Sequence, residues 1–234
     1  MSIRSLTVLA LAALLLWAVA AYIIMPGWWK RYARAHPELD GVPAITQTAS
    51  GIPGDPVNVA IAGTEAEVRS VFLAAGWSPA DPLSLVSDAR IAADAVLDRP
   101  YADAPVSSLY LFGRKEDLAF EQAEGSSPRE RHHVRFWRAP ADHPSGVPLW
   151  VGSASFDNSV GLSHTTGQIT HHISPDIDAE RDHVMSTLRA TGRLSGIVPV
   201  SQFHTVHEGR NGEGDPWRTD GTLLLAIISQ SPPG

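Results

Sequence analysis

Cysteine is absent from the 234 residues, which excludes disulfides, thiolate zinc sites and a cysteine nucleophile. Positive charge is scarce: 18 Lys and Arg stand against 25 Asp and Glu, a net charge of -7. A nucleic-acid binder normally carries a basic patch, so nucleic acid is set aside as a partner. There is no internal repeat, no HExxH zinc motif and no P-loop. Ser153 and the pair Ser163-His164 offer hydroxyls near histidines, but no GxSxG elbow surrounds them. At 44% hydrophobic and 18% charged residues, the chain is a folded one, long enough for a good-sized domain plus an appendage.

The appendage is the N-terminus. Residues 6–25, "LTVLALAALLLWAVAAYIIM", run without a charge. Twenty residues at about 1.5 Å each match a hydrocarbon core of roughly 30 Å. Trp28, Trp29, Lys30, Arg31, Tyr32 and Arg34 follow, an order that suits a membrane–water interface. Ala18-Val19-Ala20 also fits a signal cleavage site, but the apolar run continues past Ala20, which favours an uncleaved anchor. The expectation is therefore a single-pass membrane protein, with a short flank at 1–5 and one transmembrane helix at 6–25. Flanking cations differ too little between the two ends to assign the side of the membrane.

Residues 26–56 are rich in proline and glycine and read as a juxtamembrane linker. A domain over 57–229 follows, then a tail at 230–234. "VNVAIAG" is a first strand, and Thr64 with Glu67 forms a capping box for a helix burying Val68, Val71, Phe72 and Ala75. A second helix is expected over 87–97. Strands follow at 106–114, 117–123, 132–139, 149–157 and 167–173. A helix begins at Ser174-Pro175, and strands at 196–206 and 222–229 flank a glycine-rich loop. Strands clustered between helices predict an α+β fold: a mainly antiparallel sheet with two to three packed helices, preceded by the transmembrane helix.

Two histidine doublets carry the functional question. In "RHHVRFWR" the alternation of a strand puts His132, Val134 and Phe136 on a core-directed face, and Arg131, His133, Arg135 and Trp137 on the other. In "QITHHI", His171 and His172 divide likewise. If the strands are neighbours, His133 and His172 share one surface and His132 and His171 the other. Carboxylates follow at Asp176, Asp178, Glu180 and Asp182. A divalent metal would draw its ligands from His132, His133, His171, His172 and Asp176, and acid–base chemistry from His133, His172 and Asp178. The alternative is structural: acidic residues in a first helical turn contribute ~0.3–1 kcal/mol each without any catalysis, and paired histidines are common in buried networks. Asn211, Glu213 and Asp215 loosely resemble a calcium loop, but its sixth-position glycine and closing glutamate are missing, so a wide hairpin is expected. Arg114, Asp117, Glu121 and Gln122 fall in a hairpin, where ion pairing across strands is expected.

The stretches "GDPVNVAIAG", "AAGWSPADP", "RPYADAPVSSLYLFGRKEDLAFEQ", "RHHVRFW", "TGQITHHISPDIDAERD" and "GRNGEGD…TDG" together resemble the LssY-like C-terminal domain family over roughly residues 50 to 222. That resemblance implies no settled activity. Members of the family fuse this domain to membrane segments similar to lipid-phosphate phosphatases or to DedA-type proteins; a single apolar segment stands here instead. It implies an envelope- or lipid-associated role by association alone. Two functions follow as expectations. One is a membrane-anchored accessory or binding module, with Arg131, His133, Arg135 and Trp137 meeting an anionic lipid or a membrane-protein partner. The other is a metal-assisted hydrolase built on the doublets.

Overall fold

A computed structural model describes residues 3–26, 36–80, 109–124, 130–162 and 169–229 of the chain. The expected helix over 87–97 lies outside the described residues. By internal contacts the chain divides into two units, 1–40 and 41–234.

The first unit holds α1 (Ile3–Val19), whose winding widens into a π-helix at Ala20–Ile24. The transmembrane helix expected over 6–25 does not stand as one α-helix: neither piece reaches twenty residues. Among the described residues no helix is long and apolar enough to cross a membrane.

The second unit begins inside the stretch expected as a linker. Strands β1 (Ile45–Thr48) and β2 (Pro53–Pro56) form an antiparallel hairpin there. Next come β3 (Val59–Ala62), helix α2 (Glu65–Ala74), β4 (Ser78–Pro79), β5 (Leu109–Leu111), β6 (Arg114–Lys115), β7 (Leu118–Ala123) and β8 (Arg131–Arg138). After these lie β9 (Leu149–Leu162), β10 (Ile169–Ile173), helix α3 (Ile177–Ala190), β11 (Leu194–Val200), β12 (Glu208–Arg210), β13 (Pro216–Arg218) and β14 (Leu223–Ile228). The fold is α+β, and its sheets are mainly antiparallel. The main sheet runs β11-β14-β3-β9-β8-β7-β4, with β10 added on β9; a smaller one runs β2-β1-β5-β6. Only β14 and β3 pair in parallel among the described strands.

Both packed helices start on side-chain caps. Thr64 and Glu67 complete the capping box of α2, which buries Val68, Val71 and Phe72. At α3 the cap is Asp176, accepting from the Ala179 amide, one residue beyond the expected Ser174-Pro175 start. These helices cover one face of the main sheet, where Phe72 stacks on Phe120 and packs with Val134, Phe136, Val184 and Leu188. Burial of such aromatic area is the main stabilising term. The strand expected over 196–206 stops at Val200, because the chain turns through Gln202 at a positive φ of 61°.

Candidate functional site

β8 sorts its side chains as a strand must. Val134 and Phe136 enter the helix-covered core, while Arg131, His133, Arg135 and Trp137 point to the opposite face. That face is not open. His133 and Arg135 are 5% and 4% exposed and Trp137 is wholly buried. The smaller sheet reaches over it: Asp55 of β2 approaches Arg135 to 3.8 Å, and the Trp137 indole donates to the Arg114 carbonyl of β6 at 3.1 Å. Arg114 is in turn paired with Asp117 at 2.7 Å, two of the four residues among which ion pairing is expected.

Register then decides the contacts. On β9, Ser153, Ser155 and Asp157 lie directly opposite Arg135, His133 and Arg131. His133 Nδ1 is 3.2 Å from Asp157 Oδ1, and its Nε2 lies 3.2 Å from Ser155 Oγ and 2.8 Å from Arg135 Nη1. Arg131 donates to Asp157 at 3.1 Å and to Glu121 of β7 at 3.3 Å. On the other side Asp55 accepts from Asn211 at 2.9 Å, Asn211 Oδ1 accepts the Asp215 amide, and Asp215 holds His172 Nδ1 at 2.6 Å. One polar chain therefore runs from Glu121 through Arg131, Asp157, His133, Arg135, Asp55, Asn211 and Asp215 to His172. Ser153 Oγ, fully buried beside it, has no hydrogen-bond partner among the described residues.

The doublets are placed by β9, which takes β8 along one edge and β10 along the other: Asp157 is opposite both Arg131 and Ile173. His133 and His172 are joined through Arg135, Asp55, Asn211 and Asp215. His132 lies on the helix side, against Glu180 and His183 of α3. His171 pairs with Val160 along the backbone; its side chain lies outside the described residues. Asp176 spends its oxygens on the Ala179 amide and Arg218. Asp178 accepts from Arg181, the Thr219 hydroxyl and the Asp220 amide. Among the described residues no three His, Asp or Glu side chains converge as a metal cage. In the loop compared with a calcium loop, Asn211 Oδ1 is turned onto the amides of Glu213 and Asp215.

Asp55, Asp157, Ser155, Glu180 and Arg181 escape the sequence reading as site residues. Glu180 and Arg181 carry a signal all the same: they occupy the buried face of α3 with Ile177, Val184 and Leu188, where charge is rare unless paired. Arg181 is indeed gripped by Asp178, Asp182 and Asp220, and these hydrogen bonds outweigh burial to raise its pKa. Asp55 gives none, because its role exists only once β2 folds over β8.

What the arrangement can do chemically follows from its charge balance. Each guanidinium faces a carboxylate, so the face is a neutralised lattice rather than a free cationic surface. No curated protein and no solved structure matches this chain. A comparison with protein families matches residues 39–223 to the family described as LssY C-terminus, a span that takes in every member of the polar chain, and the chain belongs to that family.

Proposed function

We propose that this protein is a single-pass membrane-anchored accessory or binding module of the cell envelope. The observation that carries the reading is the N-terminal segment. Its twenty uncharged residues are helical, and Leu16 and Tyr22 are 71% and 72% exposed within a unit that buries neither. A helix that is apolar all round needs a hydrophobic environment to cover it. A bilayer fits the length of the run, with the π-helical turn taken up inside it.

The body would act through its outer surfaces. Direct contact of Arg131, His133, Arg135 and Trp137 with anionic headgroups is the weaker form of this reading, since these groups are buried and committed to partners. The hydrolase alternative draws on one arrangement, His133 between Asp157 and Ser155; it is an acid–base pattern and not a metal cage.

Membrane fractionation of the full chain tests the proposal. The wild type should stay in the pellet after an alkaline carbonate wash. Leu14→Arg/Leu15→Arg should release it, each central arginine costing about 2.5–3.5 kcal/mol on an insertion scale. Wild-type protein washed into the supernatant would end the proposal.

A further inference from the structure

On the helix side of the main sheet two imidazoles lie face to face. His132 of β8 and His183 of α3 have ring centroids 3.8 Å apart and planes within 10°. His132 Nδ1 is 2.7 Å from Glu180 Oε2, and its Nε2 is 2.8 Å from Glu124 Oε2. A neutral imidazole has one N–H, and a carboxylate only accepts. Both contacts are therefore satisfied only when His132 is the imidazolium.

His183 is set in the opposite state. Gln122 donates its amide nitrogen to the Ala75 and Gly76 carbonyls, both at 3.3 Å. That leaves Oε1 facing His183 Nε2 at 2.9 Å, so His183 donates from Nε2, and in the neutral ring Nδ1 carries no proton. A second proton there would set two cations ring on ring. The groups packed around the stack are Glu180 from α3, Gln122 from β7, Glu124 just past its end, Trp77 ahead of β4, and Phe156 from β9. Only the two glutamates among them carry charge.

We infer that this stack is a one-proton latch: it holds residues 177–184 of α3 on β8 when the pair carries a single proton, and releases them when it carries none or two. Without a proton, Glu180, 3% exposed and with Oε1 already lacking a partner, faces a neutral ring. With two, the stacked cations repel. The titration behaviour agrees. Burial pushes His132 down, but the hydrogen bonds to Glu180 and Glu124 outweigh it and hold the group above its ordinary value. Burial first, then the His132 charge, holds His183 below.

The signs are opposite. The His132 contribution is complete below the unfolded value of about 6.5 and is lost as pH rises through the raised folded value. That of His183 is complete above about 6.5 and is lost as pH falls through the lowered one. Docking of α3 is therefore strongest near the ordinary histidine value and weakens on both sides.

Amide hydrogen exchange of the full chain in detergent, followed from about pH 5 to pH 9 and corrected for intrinsic exchange, tests this. Protection over 177–184 should peak near pH ~6.5 and fall towards each end. His183→Gln should abolish the acid limb, and Glu124→Gln with Glu180→Gln the alkaline limb. Should a variant not fold, imidazole nitrogen shifts of the wild type decide: one ring charged and one neutral between about pH 6 and pH 7 supports the latch. A monotonic protection profile, limbs that survive these substitutions, or two rings taking up protons together would overturn it.

Discussion

Arg135 Nη1 lies 2.8 Å from His133 Nε2. A guanidinium only donates, so Nε2 is the accepting nitrogen and the ring proton sits on Nδ1, facing Asp157 Oδ1 at 3.2 Å. The imidazole stands between two ion pairs, Arg131 with Asp157 and Arg135 with Asp55. Removing one partner of such a pair strands the other in a dry interior. Arg135→Met should destabilise the body by about 3–5 kcal/mol, read from the denaturant midpoint. A loss under about 1 kcal/mol, the range of an exposed ion pair, would show that Asp55 and His133 keep access to water.

His172 is held from two sides. Asp215 grips its Nδ1, and Gly161 of β9 leaves room for the ring: a Cβ there would stand 2.6 Å from His172 Nε2. Asp215 also accepts the Ile173 amide at 3.2 Å, so the carboxylate ties the 211–215 turn to β10. Two unrelated substitutions should then act alike. Gly161→Ala displaces the ring and Asp215→Ala removes its partner, and each should cost ~1–3 kcal/mol with faster amide exchange at Ile173. Normal protection at Ile173 in Asp215→Ala would disprove the tie.

The parts of this fold readable from the sequence are those decided locally. The Thr64–Glu67 box, the buried stripe of α2 and the alternation along 131–137 depend on neighbours one to four residues away, and stand where expected except for Ala75, which is partly buried past the end of α2. Asp55 fails that test: in "GIPGDP" every local sign reads linker, and only pairing of β2 with β1 and the approach of Arg135 turn the stretch into a strand. The doublets fall between the two cases. Alternation separates His132 from His133, but nothing in "HH" reveals that β9 sets β8 and β10 on opposite edges. The apolar segment at 6–25 is plain as composition, whereas its change of winding at Ala20 is not.

Three surface carboxylates give the body an acid limb. The Arg218 hydrogen bond holds Asp176 below the ordinary aspartate value. At Asp117 and Asp220 burial pushes upward, but the bonds from Arg114 and Arg181 outweigh it and the net shift is again downward. A depressed folded value means stability that is present above the unfolded pKa, about 3.9, and lost as pH falls through the folded one. All three are partly exposed, which limits each pair to ~0.2–1 kcal/mol. Asp117→Asn should therefore cost up to ~1 kcal/mol at neutral pH, with the gap to wild type closing towards pH ~3. Denaturant midpoints at the two pH values check it; a gap that widens on acidification has the wrong sign for this account.

The hydrolase alternative makes its own demand, that metal binding be linked to stability. His132 has both ring nitrogens against carboxylates, His133 has one against Arg135, His172 has one against Asp215, and Asp176 is shared between a helix cap and Arg218. To ligate, His132, His133 through Nε2, and Asp176 would each first have to surrender a bond that holds two elements together. Binding that competes with folding lowers apparent affinity and gives the native state little linkage energy. Chelator should consequently leave the thermal midpoint of the purified chain unchanged, and micromolar zinc should not raise it. A midpoint that drops on chelation and returns with a stoichiometric divalent ion would reinstate the doublets as ligands, with the polar chain rearranged around them.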